Sequence, residues 1–373
     1  MIYLDSAATS YLKPAAVKRA MVNAIETMAS PGRGAYGAAM KAADKVYECR
    51  ELACKLFNFS EPQNVVFTLN ATHALNIAIR SLVSKGDKVI VSGYEHNSVT
   101  RPLNFIGAKI VVAASPLFET DAVIGTIERN ISGAKAVIWN HVSNVFGYIQ
   151  PIYEIAGLCR RYNVPLIVDA SQSAGICRLD MSELNAAFAA MPGHKGLLGP
   201  QGTGILLCNE MPEPLICGGT GSESALQVMP EYLPDRVEAG THNVVGIAGL
   251  CEGMRYVLNR SAENIGEYEA RLCRRVATRL KKLPQLRVFT SESDNQAGVL
   301  SIQHNAIDCE TFCGILGKRG IAARCGLHCS PLAHITAGTI ERGTVRLSFS
   351  PLITQAQVDR ACSIIESAAK QEN

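Results

Sequence analysis

No apolar stretch in the 373 residues reaches the length needed to cross a bilayer, so a membrane-spanning chain is not expected. The opening residues Met1 to Asp5 lack the charged region and apolar block of a secretory leader, which points to the cytoplasm. No Cys-x-x-Cys pair occurs, so no structural zinc site is expected. Dense basic runs are absent and the formal net charge is only +3, too little to argue for nucleic acid. Internal repeats and low-complexity segments are absent as well. What is present is a globular composition, 47% hydrophobic and 18% charged, in a chain long enough for one large domain and a smaller one. Thirteen cysteines, an odd number without a leader, read as reduced thiols rather than a disulfide framework.

The stretch from Ala190 to Gly204 organises the rest. Five glycines and Pro200 surround Lys195, which suits a loop that approaches a ligand closely. Lys195 is either a solvated lysine or one that forms a Schiff base with a carbonyl. A second stretch bears on that choice. Asn163 to Gly175 reads as a buried parallel strand stopping at Asp169, and side chains at such carboxyl ends meet ligands in open α/β sheets. A carboxylate 26 residues before a Schiff-base lysine is what pyridoxal phosphate needs to keep its ring nitrogen protonated. Taken alone, Asp169 reads better as a helix N-cap.

Elsewhere the pattern predicts helices at about 14–29 and 38–57, then strands alternating with helices from Val65. Strands are expected near 65–67, 88–92, 109–113, 136–140 and 164–169, and the helix after Asn70 offers unpaired N–H groups to an anion. Further helices are expected at about 244–258, 263–280 and 355–369, with a strand near 344–348. Arginines and lysines on one side of the 263–280 helix read as a solvated face.

The spacing Asp169-x-x-Gln172 followed by Gly193-His194-Lys195 resembles the class V aminotransferases, a family of fold-type I pyridoxal phosphate enzymes. Within that family it is similar to the cysteine desulfurases and selenocysteine lyases, from the Leu4–Thr9 segment through Arg346. The resemblance implies an α/β fold: a large domain (14–245) around a mainly parallel seven-stranded sheet, and a smaller α+β domain formed by 1–13 and 246–373. Ala71, Thr72 and His194 would hold the cofactor phosphate, His96 would stack on the ring, and Gln172 would bond its phenolic oxygen. Asn144 would contact the hydroxyl side of the cofactor ring and, with Arg346, take the substrate carboxylate, with Ala8 nearby. Thr241, in the turn Glu238 to Asn243, would reach the cofactor phosphate of a second subunit and make the enzyme a homodimer. The chain departs from the family at Pro192, where desulfurases often carry a phosphate-binding serine.

Arg324 to Pro331 separates the candidate reactions. Cys329 closes an R-x-G-x-H-C signature that resembles the persulfide-forming loop of short-loop desulfurases, with L-cysteine as substrate and a sulfur-acceptor protein as partner. Arg324 and His328 are available to favour its thiolate. Cys325 reads as a bystander. A buried structural Cys329, or metal binding by Cys325, His328 and Cys329, are the competing readings. Selenocysteine cleavage, a transaminase or lyase that does not need Cys329, and a sulfur carrier without the cofactor also remain open.

Overall fold

The computed structural model describes residues 1–32 and 34–370. Its strands are β1 (Ile2–Tyr3), β2 (Val65–Thr68), β3 (Lys88–Ser92), β4 (Lys109–Ala113), β5 (Ala136–Asn140), β6 (Leu166–Asp169) and β7 (Phe188–Pro192). They continue with β8 (Gly204–Cys208), β9 (Leu286–Phe289), β10 (Val299–His304), β11 (Ile321–Ala322), β12 (Arg324–Gly326) and β13 (Thr344–Ser348). The main sheet has seven strands in the order β2-β8-β7-β6-β5-β3-β4. Only β8 runs against its neighbours.

Runs such as Val89–Val91 and Ile167–Val168 have no polar face, because helices cover the sheet on both sides. Asn140, Asp169 and Ala190 stand level on neighbouring strands, so three carboxyl ends open on one edge. The helices Ala71–Leu82 and Asn97–Ile106 begin at that edge, directly after β2 and β3. The second helix was not anticipated, because it carries Pro102 inside it. The glycine-rich stretch is likewise not all loop: its ends are β7 and β8.

A second sheet, β12-β13-β10-β9, is antiparallel, and β1 pairs in parallel with β11. Ile2 and Leu4 therefore belong to a core with Leu272, Leu300 and Leu347, while the helix Val244–Arg260 gives Ile247, Leu250 and Met254 to the core of the main sheet. The basic face of the helix Ala262–Leu280 is not simply solvated. Arg275 pairs with Asp359 and Arg279 with Glu366, both on the helix Gln355–Ala369. No helix among the described residues is long and apolar enough to cross a membrane.

Glu238 clamps the main sheet to its covering helix. Its carboxylate takes Arg50 Nη1 and Nη2 at 3.0 and 2.7 Å, the Phe67 N–H, and His242 Nε2. Burial alone would raise its pKa, but Arg50 and His242 outweigh that and hold it below the usual carboxylate value. Removing one partner of such a buried pair leaves an uncompensated charge. Glu238→Ala should therefore lose about 3–5 kcal/mol of stability, read from the urea denaturation curve.

Candidate active site

Three of the residues expected from sequence alone meet at the carboxyl edge of the main sheet. Asp169 ends β6, is buried, and accepts the Ser171 N–H through Oδ1 at 2.9 Å. No helix starts there, so the N-cap reading of Asp169 falls. Lys195 follows β7, is half-buried, and its amine makes no hydrogen bond among the described residues. Burial pushes its pKa down to about 8; Asp169 pulls it up, while Arg346 and Arg324 push it down. Gln172 donates to the Ala7 carbonyl at 2.9 Å, tying the N-terminal segment to the same wall.

One cleft of about 510 Å³ is lined by Lys195, Asp169, Gln172, His96, Asn144 and His194, with Ala71 and Thr72 at its end. Asn70 caps the helix Ala71–Leu82 by accepting the His73 N–H at 2.9 Å, which leaves the Ala71 and Thr72 amides unpaired among the described residues. Capping and anion binding thus use different groups here. Two free amides at the start of a twelve-residue helix attract an anion. Pro192 lines the same cleft with neither hydroxyl nor N–H to add.

His96 caps its own helix, its Nδ1 accepting the Ser98 N–H at 3.0 Å. Burial pushes its pKa down to about 4, so a neutral ring faces the cleft. His194 is lowered to about 4 in the same way, and its Nδ1 lies 3.0 Å from Thr9 Oγ1. Arg346 is not a surface arginine. It is 1% exposed, gives Nη2 to Asp5 Oδ1 at 2.8 Å and Nη1 to the Asn144 carbonyl at 2.9 Å, and leaves Nε without a partner. The Asn144 amide is committed to the cysteine loop, donating to the His328 carbonyl at 2.8 Å and accepting from Ser330 at 2.6 Å.

Cys329 is exposed, not buried, and its sulfur sits 3.6 Å from Arg324 Nη2. Its carbonyl accepts the Asn97 N–H at 2.8 Å, which puts the thiol's residue beside His96 at the cleft. Arg324 is the charged partner bonded to this thiol among the described residues. His328 turns inward to Thr344, and burial, Arg346 and His334 keep its ring neutral. Cys325 faces the second core with Cys313 of the helix Cys309–Lys318. Cys325, His328 and Cys329 therefore diverge, and among the described residues no group of His, Cys, Asp and Glu is arranged to hold a metal ion.

Four expected residues do not line the cleft: Arg346 and Cys329, placed above, and Ala8 and Thr241. Ala8 sits in the turn begun by Asp5, its N–H bonded to the Asp5 carbonyl at 3.1 Å. Thr241 is exposed and lines a separate cavity of about 990 Å³ with Tyr47 and Thr220. Sequence reasoning missed Asp5 as the counter-ion of Arg346, since 341 residues separate them. It also missed Glu95, which is buried against Ser92 and the Asn140 N–H. Burial and nearby Asp169 push Glu95 up to about 8, so it is neutral at pH 7.

A sequence profile of the aminotransferase class-V family matches residues 2–361. The chain belongs to the class V aminotransferase family. Its mainly parallel sheet and smaller antiparallel unit are the fold-type I architecture of that family. Curated relatives include a probable cysteine desulfurase of Methanothermobacter thermautotrophicus, 32% identical over 99% of this chain and 94% of the relative. A protein of the same description from Pyrococcus abyssi is 30% identical with the same coverage. Among solved structures, an apo cysteine desulfurase from Thermococcus onnurineus NA1 superposes with TM-score 0.90 at 29% identity, covering 99% of this chain and 94% of that one. The cysteine desulfurase CsdA of Escherichia coli shares the fold, with TM-score 0.86 at 24% identity over 98% and 94% of the two chains.

Proposed function

We propose that this class V aminotransferase relative is a pyridoxal phosphate-dependent cysteine desulfurase, converting L-cysteine to L-alanine and passing the sulfur through Cys329 to an acceptor. The observation that carries the reading is an exposed sulfur held 3.6 Å from Arg324, on a loop bonded to the residue after His96. A transaminase needs no thiol there.

The cleft suits the cofactor through its donors. Asp169 offers a buried carboxylate to a ring nitrogen, the Ala71 and Thr72 amides with His194 offer donors to a phosphate, and Lys195 offers an unbonded amine. Pyridoxal phosphate, when bound, supplies a carbonyl that joins amino groups and a ring that accepts electron density from the substrate carbon. Lys195 would hold it and move the substrate Cα proton. His96 would present its neutral ring face. Arg346 would grip the α-carboxylate through its unpaired Nε. Arg324 Nη2 stands 3.6 Å from the Cys329 sulfur. Cys329, as its thiolate, attacks the substrate sulfur. An S–S bond forms as the Cβ–S bond breaks, and the carbon fragment takes the electron pair and a proton to leave as alanine. Thr241, exposed and outside this chain's cleft, fits a role in the site of a homodimer partner. A reducing cytoplasm would keep all thirteen free cysteines as thiols.

The direct test is incubation of the cofactor-loaded protein with L-cysteine and dithiothreitol. Alanine and sulfide in equal amounts are expected; a keto acid instead, or neither product, sinks the reading.

Lys195 also sets a pH dependence. A lysine with a pKa of about 8 is mostly protonated at pH 7 and mostly neutral at pH 9. Capture of pyridoxal phosphate by cofactor-free protein should therefore quicken roughly 10-fold between those values, following the neutral fraction of the amine. Absorbance of the bound cofactor after mixing reads this, and a flat profile contradicts it.

A further inference from the structure

The backbone that presents Cys329 is strained. His328 and Cys329 are consecutive left-handed residues, at φ +50° and +59°, and neither is glycine. Side-chain crowding disfavours that conformation, so the surroundings must hold it. Asn97 holds Cys329 through its carbonyl, and the Asn144 amide holds His328 through its carbonyl, each at 2.8 Å.

The Asn144 bond works only if its amide group faces His328 and its oxygen faces away. The His328 carbonyl, an acceptor only, sets that orientation, and Ser330 pins the far end of the amide. The serine is fully buried, and its hydroxyl proton goes to Asn144 Oδ1 at 2.6 Å. A flipped amide would turn oxygen against the His328 carbonyl oxygen. The ordinary explanation for a serine at this place is a helix cap, since Ser330 precedes the helix Pro331–Thr336. Its side chain makes no cap hydrogen bond. The hydroxyl is spent on Asn144 instead. Asn144 in turn receives Arg346 Nη1 on its own carbonyl at 2.9 Å, so the cysteine loop and the carboxylate-binding arginine share one residue.

We infer that Ser330 is a positioning residue for sulfur transfer: by holding the Asn144 amide against the His328 carbonyl it aims the Cys329 sulfur at a substrate held by Arg346. The inference rests on the desulfurase reading above.

The test uses cofactor-loaded protein in three forms: wild type, Ser330→Ala and Ser330→Thr. Two steps are followed with L-cysteine. Exchange of the substrate α-proton with deuterium reports on Lys195, and persulfide on Cys329 in a single turnover, read by mass, reports on aim. In Ser330→Ala the persulfide rate should fall ~10-fold while α-exchange stays within about 2-fold, the loss of one buried hydrogen bond felt at one step only. Ser330→Thr, which keeps the hydroxyl, should restore most of the loss. In cofactor-free protein, backbone amide exchange at Asn97 and Ser330 should be faster in Ser330→Ala than in wild type.

Equal persulfide rates in wild type and Ser330→Ala overturn the inference alone. So does a parallel fall in both steps, or unchanged amide exchange. Wild type that never loads sulfur overturns the desulfurase reading and this inference together.

Discussion

Lys195→Ala should lower alanine formation from L-cysteine on the order of 10³-fold or more, the scale expected when a positioned base is removed. Two losses combine in this variant. The substrate Cα loses the amine that takes its proton, and the cofactor loses its covalent anchor. The Asp169 carboxylate, the Ala71 and Thr72 amides and His194 stay in place, so the cofactor should still enter the cleft without a covalent bond. Borohydride reduction followed by peptide mass mapping separates the two cases, with an adduct on residue 195 in wild type and none in the variant. The Asn70 cap and the sheet do not depend on Lys195, so the urea midpoint should be unchanged. Alanine formation within tenfold of wild type would remove Lys195 from the mechanism.

Cys329→Ala should cut persulfide and sulfide production from cysteine by about 10²-fold or more, because the activated nucleophile itself is gone. Exchange of the substrate α-proton should persist, since Lys195 is untouched. That split distinguishes a missing acceptor from a collapsed site. Selenocysteine gives a sharper contrast. A selenol has a lower pKa than a thiol and leaves more readily, so its cleavage should suffer less in the same variant. Undiminished sulfide from cysteine would rule out Cys329 as the acceptor. Exposure makes this residue a safe one to change: its side chain is not part of either core.

Local chemistry explains what was legible before the structure. Asp169 and Lys195 announce themselves because an apolar run halts at a carboxylate and a glycine-rich turn surrounds an amine. The alternating strands from Val65 are read from burial on both faces, which leaves a mark in each short segment. The helix Asn97–Ile106 escaped because Pro102 interrupts its pattern and its cap is a histidine rather than serine or aspartate. Strands β7 and β8 escaped because their flanking glycines resemble a loop.

Other features were illegible in principle. Asp5 is an ordinary acid until the chain brings Arg346 to it, and Ser330 looks like a helix cap until its proton is found on Asn144. The charged side of the helix Ala262–Leu280 carries no sign that the helix Gln355–Ala369 will supply its acids. His328 read as a charge beside the thiol, yet the left-handed turn sends its ring inward.

The N-terminal segment has a consequence for how the protein matures. Leu4 bonds to Ala322 and Ser348, Asp5 to Arg346, and Ser10 to the His194 carbonyl. During synthesis Asp5 leaves the ribosome 341 residues ahead of Arg346, so this segment waits for its anchors almost to the end of translation. Contacts so distant along the chain form late. A nascent chain can therefore build the Lys195 loop and the sheet beneath it while one wall of the pocket is still missing. The ion pair of Asp5 and Arg346 forms only when the last strand closes over the first residues.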